Sequence, residues 1–238
     1  MSESERLERA RVDMGEQLAE HLENVLSAPA EDRIAAARRV GEAFRRAIDH
    51  FTATSAPVEQ LAEIESLVLD VADRLEAFGG TRRYEGTAEA SGLGHDRAHF
   101  DWSPLLGTAN PLAPPLRIAF EEGMVVGHAE FGAAYEGPPG CVHGGYVAAA
   151  FDEILGLAQS LSGQVGMTAN LSVRYRRPTP LHKDLRFEGR LEGVNGRKVT
   201  ASGMLFAGEE VTAEANGLFI TVTPERFAAL AAQRQRRD

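Results

Sequence analysis

The sequence predicts an α+β fold in which one long apolar helix packs against an antiparallel sheet. From residue 116 onward, apolar and polar residues alternate with the period of half-buried strands. Residues 144–161 interrupt these strands with a run of helical length that is apolar nearly all round. The repeat of strand, crossover helix and strand that builds a doubly wound parallel sheet is missing. The helix and the sheet are therefore expected to form two layers.

Turn signals separate the predicted strands. Asn195-Gly196 is typical of a two-residue hairpin, Glu122-Gly123 of a tight turn, and residues 133–141 form a loop rich in Gly and Pro. The strands are predicted over residues 116–121, 124–132, 167–176, 185–192, 199–206 and 211–222. Strict alternation over 167–176 predicts two faces. One face carries Met167, Ala169, Leu171, Val173 and Tyr175, and the other carries Thr168, Asn170, Ser172, Arg174 and Arg176.

Amphipathic helices are predicted before the sheet, over residues 4–28, 31–51 and 58–78. They are expected to form a bundle, to pack on the next domain or to mediate oligomerisation. The third has the spacing of a heptad seam, formed by Leu61, Ile64, Val68, Val71, Leu75 and Phe78. We divide the chain into a helical extension (1–80), a proline-rich linker and lead-in loop (81–115), an α+β domain (116–223) and a basic C-terminal tail (224–238).

Composition excludes several classes of protein. The 238 residues are 43% hydrophobic and 25% charged, as in ordinary globular domains. Residues 1–80 hold 17 of the 35 acidic residues but 9 of the 25 basic ones, which argues against nucleic-acid binding. The single Cys141 excludes an internal disulfide framework and a Cys-rich zinc site. With no apolar leader and no long apolar run, we expect a cytoplasmic protein without a membrane span.

Candidate chemistry concentrates on the helix over 144–161. Its carboxylates, Asp152 and Glu153, are costly in an apolar setting unless they are paired, exposed or functional. They diverge by about 100° around a helix, so one exposed strip does not suit both, and periodicity does not choose between them. Gly144 and Gly145 open the helix with backbone amides that favour a developing oxyanion.

Other candidates are weaker. Cys141 and His143 are close enough in sequence to suggest a Cys–His nucleophile, but no third orienting group accompanies them. The remaining histidines show no metal-ligand spacing, so no metal site is expected. They include His95, His99, His128 and His182.

Motifs along the second half of the chain have a combined spacing that resembles a known family. They are His143-Gly144-Gly145, Asp152 nine residues after the histidine, and the segments 167–171 (MTANL), 175–181 (YRRPTPL) and 192–198 (EGVNGRK). Together they resemble the hotdog-fold acyl-CoA thioesterases of the phenylacetate-pathway (PaaI-like) type, and within these the mammalian thioesterase superfamily members 4 and 5. The resemblance covers roughly residues 100–223.

This resemblance implies a hotdog fold, hydrolysis of an acyl-CoA to a free acid and CoA, and a homodimer or dimer of dimers. Coenzyme A enters as part of the substrate, with no further cofactor. Asp152 becomes the nucleophile or general base, the N–H of Gly144 the oxyanion donor, and Thr168 the group that holds the acid or the water. His143 lies near the thioester. The implied substrate-binding residues are Gly145, Asn170, Arg176, Arg177, Arg197 and Lys198.

Alternatives remain from other classes. One is a non-catalytic module that binds or senses acyl-CoA, with the helical extension as its interaction part. Another is a hotdog dehydratase, but Thr108-Ala109-Asn110-Pro111 lacks the Asp and the His of the Asp-x-Asn-Pro-x-His signature.

The spacing of Gly144 and Asp152 adds one further prediction. Gly144 and Asp152 lie about 12 Å apart along a helix, too far to act together, so each site should be shared between two chains.

Overall fold

A computed structural model of the chain describes residues 32–79 and 98–222, apart from residues 115, 122 and 165, together with residues 17 and 20. Except for those two positions, the helix predicted over 4–28 lies outside the described residues. The C-terminal tail over 224–238 also lies outside them. The division of the chain into four segments therefore stays a prediction.

Four α-helices have both ends within the described residues, and two of them confirm two of the three amphipathic helices expected before the sheet. A short helix that ends at Trp102 was not predicted, because the prolines from Pro104 onward dominate the local pattern. The helices are α1 (Asp32–Thr52), α2 (Val58–Ala77), α3 (Ala98–Trp102) and α4 (Gly144–Ser160).

A six-stranded antiparallel sheet of order β1-β2-β4-β5-β6-β3 forms the second layer. The predicted α+β class is confirmed, with α4 between the second and third strands. The strands are β1 (Arg117–Glu121), β2 (Met124–Glu130), β3 (Gly166–Tyr175), β4 (Asp184–Asn195), β5 (Lys198–Ala207) and β6 (Glu210–Thr221).

Helix α4 lies close against the sheet because glycines leave room for its side chains. Ile154 is fully buried. A Cβ atom added to Gly127 would lie 2.5 Å from its Cδ1, and one added to Gly189 would lie 2.7 Å from its Cγ2. On the same helix, Phe151 meets Phe187 of β4 edge-on, with ring centroids 5.4 Å apart. This packing fixes the height and rotation of α4, and with them the direction of its carboxylates.

Strand β3 lies at one edge of the sheet, and its predicted alternation is wrong at its beginning. Thr168 pairs with Phe219, and Asn170 pairs with the preceding residue, Leu218, so Ala169 forms a β-bulge. The extra residue places Thr168 and Asn170 on opposite faces. Thr168 therefore shares the α4-facing side with Leu171, Val173 and Tyr175.

The two described helices of the extension differ in their packing. Helix α1 packs on the lead-in loop and on the next domain. A Cβ atom added to Gly41 would lie 2.7 Å from the carbonyl oxygen of Ala109, and one added to Gly132 would lie 2.9 Å from Cγ of Asp49. Helix α2 has no buried residue, and its seam residues Val68 and Leu75 are 55% and 53% exposed. One of the roles expected for the extension, packing on the following domain, is thus confirmed for α1.

Candidate active site

The first turn of α4 presents one backbone donor. His143 is the N-cap residue, and its Nδ1 accepts a hydrogen bond of 3.0 Å from the N–H of Gly145. The expectation of two free glycine amides is therefore wrong, because the histidine satisfies one of them. The N–H of Gly144 has no acceptor among the residues that the structure describes. It points from the positive end of the helix dipole, where a developing negative charge is stabilised.

Tyr175 holds the residue that carries this donor. Its hydroxyl donates a 2.7 Å hydrogen bond to the carbonyl oxygen of Gly144. A Cβ atom added to Gly144 would lie 3.2 Å from the tyrosine ring, so the glycine lets the ring approach the helix. Sequence reasoning missed this role. Tyr175 continues the alternation of Leu171 and Val173 along β3, and this spacing indicates that its side chain is directed toward α4.

We expect the Tyr175→Phe variant to lower kcat about two- to tenfold with little change in KM, since one hydrogen bond of about 0.5–1.5 kcal/mol is lost. The measurement is steady-state hydrolysis of the best CoA ester. Tyr135→Phe is the matched control, because it removes a tyrosine–carbonyl hydrogen bond to Leu112 and leaves Gly144 untouched. Equal effects in the two variants would contradict a specific role for Tyr175.

Asp152 and Thr168 are brought together by α4 and β3. The Thr168 hydroxyl donates a 2.8 Å hydrogen bond to Oδ1 of Asp152. The bulge at Ala169 makes this contact possible, because it turns Thr168 toward the helix. The second carboxylate oxygen of Asp152 remains open on a side chain that is exposed in the single chain. A carboxylate oriented through one oxygen, with the other free, suits a general base or a nucleophile.

Glu153 lies in a different environment, although it is the next residue. Its side chain is partly buried, and its Oε1 is 3.5 Å from the hydroxyl of Ser103. Burial, reinforced by the charge of Asp152, raises the pKa of Glu153 to about 7, against the lowering effect of the Ser103 hydrogen bond. The structure thus separates the two carboxylates that periodicity left equivalent.

The regular course of α4 keeps the predicted distance within one chain. Gly144 and Asp152 lie eight residues apart in an uninterrupted helix, which corresponds to about 12 Å along its axis. Within a single chain, Asp152 therefore does not reach a carbonyl group held at the N–H of Gly144.

The predicted basic residues lie in two pairs at opposite ends of β3. Arg176 and Arg177 follow its last residue and form ion pairs of 2.8 Å and 2.7 Å with Glu214 and Glu210. At the other end, Arg197 donates to the carbonyl oxygen of Thr221, and Lys198 starts β5. About 25–30 Å of strand separates the pairs, so one chain does not bring them together. Asn170 lies on the sheet face that points away from Asp152.

The remaining candidates show no arrangement for chemistry. The Sγ of Cys141 lies 3.5 Å from the carbonyl oxygen of Pro139, and the Nδ1 of His143 is occupied by the Gly145 amide. In the described residues, no three His, Cys, Asp or Glu side chains are grouped to hold a metal ion. None of the described helices combines the length and apolarity needed to cross a membrane.

Sequence comparison identifies relatives of the domain that carries this geometry. Residues 139–214 match the Thioesterase superfamily. Acyl-coenzyme A thioesterase THEM4 of Mus musculus is 34% identical over 124 residues, an alignment that covers 45% of this chain and 54% of that protein. Acyl-coenzyme A thioesterase THEM5 of Homo sapiens is 28% identical over 96 residues, covering 40% of this chain and 39% of that protein. The chain thus spans about half the length of these relatives or less.

Structural comparison extends the likeness beyond this domain. The crystal structure of protein RHA08564, a thioesterase superfamily protein, has a TM-score of 0.70 and 33% sequence identity, and covers 82% of this chain and 98% of its own. Because residues 116–222 make up less than half of the chain, an alignment over 82% of it also includes part of the helical extension. The helix-and-sheet architecture and these relatives confirm the hotdog fold expected from the sequence, and they place the chain in the thioesterase superfamily.

Proposed function

We propose that this protein is an acyl-CoA thioesterase that hydrolyses an acyl-CoA to a free acid and CoA. The observation that carries the proposal is the orientation of Asp152 by Thr168 on a helix whose first amide has a free N–H. The region that matches the Thioesterase superfamily includes these residues, and relatives of the chain are named acyl-coenzyme A thioesterases. Hydrolysis of a thioester requires both parts, an anchor for the carbonyl oxygen and a group that activates water or attacks the carbonyl.

In the proposed mechanism, the Gly144 N–H binds the thioester carbonyl oxygen. Asp152 removes a proton from water as the water oxygen bonds to the carbonyl carbon, and the carbonyl oxygen becomes an oxyanion held by the amide. Collapse of this intermediate breaks the C–S bond and releases the CoA thiolate, which takes up the proton. If Asp152 attacks directly, a mixed anhydride forms and water then cleaves it. Thiolate is a good leaving group, so the mechanism requires no separate strong acid.

We further propose that two chains form each site, as a homodimer or within a dimer of dimers. Support comes from the separation of Gly144 and Asp152, which is about 12 Å or two helical turns along α4, and from the position of β3 at the edge of the sheet. The edge strand exposes Met167 and Tyr175 by 49% and 52%. A second copy paired along β3 by a two-fold axis would run antiparallel, so Asp152 of one chain approaches Gly144 of the other.

The same symmetry supports the proposed binding of coenzyme A. Antiparallel pairing of two β3 edges would bring the end with Arg176 and Arg177 of one chain beside the end with Lys198 of the other. Cationic groups there suit the phosphates of the nucleotide. Assignment to the PaaI-like type and a role for Asn170 belong to this proposal. So does a cytoplasmic location, for which the single cysteine argues.

A hydrolysis panel tests the proposal. The full chain is incubated with short, medium, long and aryl CoA esters, and free thiol release is followed. We expect turnover of at least one class. Tight binding of CoA esters without thiol release would overturn it in favour of the acyl-CoA-binding module, and neither binding nor release would exclude both.

A further inference from the structure

The segment over residues 100–110 lies between α1 and α4 and contacts the catalytic helix through Ser103. This serine is fully buried, and its hydroxyl oxygen accepts the N–H groups of Leu105 and Leu106 at 3.3 Å and 3.2 Å. With both acceptor positions occupied, the hydroxyl proton is directed away from them, toward Oε1 of Glu153 at 3.5 Å. The fold of residues 100–110 therefore directs the Ser103 hydroxyl group toward the Glu153 carboxyl group.

Helix α1 holds this segment in place. The guanidinium of Arg38 donates two hydrogen bonds, of 2.8 Å and 2.9 Å, to the carboxylate of Asp101. Asp101 is only 4% exposed and also accepts a 2.8 Å hydrogen bond from the Thr108 hydroxyl. One turn of helix away from Gly41, Arg45 donates to the carbonyl oxygen of Thr108 at 2.8 Å. A buried bidentate pair and a close helix contact make this a fixed attachment.

We infer that Glu153 is a positioning residue through which the N-terminal helix α1 acts on the catalytic carboxylate Asp152. The connection runs from Arg38 to Asp101 by hydrogen bonds, along two residues of the chain to Ser103, and from there to Glu153, the immediate neighbour of Asp152. It deepens the proposed function and rests on it, since it assigns a role to the extension in the same reaction.

The effect on Asp152 is electrostatic. The charge that acts on Glu153 from its own helix is that of Asp152, and the segment facing it contributes the uncharged Ser103, while Asp101 is neutralised by Arg38. Since the pKa of Glu153 is raised to about 7, its negative charge appears near neutral pH. A second negative charge beside Asp152 makes the electrostatic potential around the catalytic site more negative, whether water attacks first or after an anhydride forms.

The experiment compares four proteins in hydrolysis of the best CoA ester between pH 5 and 9. They are the wild type, Glu153→Gln, Arg38→Met and the double variant. We expect the kcat of the wild type to rise through an inflection near pH 7 that Glu153→Gln removes, with KM changed less than about twofold. Arg38→Met should lower kcat about tenfold and displace the inflection. In the Glu153→Gln background, Arg38→Met should have no further effect on kcat.

The matched control is Arg74→Met, which removes the same charge from an exposed pair with Asp70 on α2 and should leave kcat unchanged. Additive effects of the Arg38 and Glu153 substitutions on kcat would overturn the inference, as would an inflection that survives in Glu153→Gln. Should Arg38→Met fail to fold, Arg38→Lys replaces it, because lysine keeps the charge but loses the bidentate geometry. Arg38→Lys must then also have no further effect on kcat in the Glu153→Gln background.

Thermal unfolding separates a failure of this inference from a failure of the proposed function, because it needs no substrate. The folded chain holds the Glu153 proton more tightly than the unfolded chain does. The contribution of Glu153 to the free energy of unfolding is therefore fully present below pH 4.5, its ordinary pKa. It declines as the pH rises through the folded-state pKa of about 7. Tm should fall less between pH 5 and 8 in Glu153→Gln than in the wild type, and Arg38→Met should change that difference. An unchanged pH dependence of Tm would overturn the inference even if no CoA ester is hydrolysed.

Discussion

Replacement of Asp152 by Asn is expected to lower kcat about 10²- to 10⁴-fold while acyl-CoA binding survives. The amide keeps the size of the carboxylate and can still accept the hydrogen bond from Thr168. It cannot take a proton from water or attack the carbonyl carbon effectively. Stopped-flow or steady-state thiol release gives kcat, and calorimetric titration with a CoA ester gives the binding constant.

Glu153→Gln is the matched control for this prediction, since it makes the same chemical change one residue along α4. The Glu153 side chain faces Ser103 and not Thr168, so its loss should cost far less at any single pH than that of Asp152. A near-native Asp152→Asn variant together with an inactive Glu153→Gln variant would reverse the assignment of the catalytic carboxylate.

Mixing two inactive variants is expected to restore activity to about a quarter of that of the wild type, provided that each site takes Asp152 from one chain and Gly144 from the other. The variants are Asp152→Ala and Gly144→Pro. With random exchange, half of the dimers contain both variants, and each of these has one intact site. The measurement is thiol release after subunit exchange has been confirmed by mass spectrometry.

The structure supports the choice of proline at position 144. It is the first helical position, where proline is well accepted, and His143 before it has φ −60° and ψ 130°, an extended conformation that a following proline favours. Gly144→Ala is the control, because it adds the same Cβ contact with Tyr175 and keeps the N–H. If exchange occurs and no activity returns, the site is not shared, and a base near Gly144 in the same chain must exist.

Regular patterns made the main elements predictable. Alternation predicted the strands of the sheet, and the unbroken apolar run predicted α4 within one residue of its end. Turn residues such as Asn195-Gly196 predicted the hairpin between β4 and β5, since few residue pairs suit such a turn. The resemblance of the motif residues pointed to Asp152, Thr168 and Gly144, and the structure brings the first two into contact.

Features that depend on contacts between distant segments were not predictable. The bulge at Ala169 follows from pairing with β6, and a residue pattern in β3 alone does not reveal it. The short helix α3 carries Asp101, which pairs with Arg38, a residue 63 positions earlier in the chain. Likewise, the different surroundings of Asp152 and Glu153 arise from β3 on one side and the Ser103 segment on the other.

The bulge in β3 has a consequence for how this strand tolerates change in sequence. One extra residue separates the strand into two parts whose side-chain directions are set independently. The part before the bulge keeps Thr168 directed at the helix. The longer part after it presents Ser172 and Arg174 on the opposite face, and substitutions there would leave the direction of Thr168 unchanged. A single extra residue thus separates the constraint of the contact with Asp152 from the rest of this edge strand.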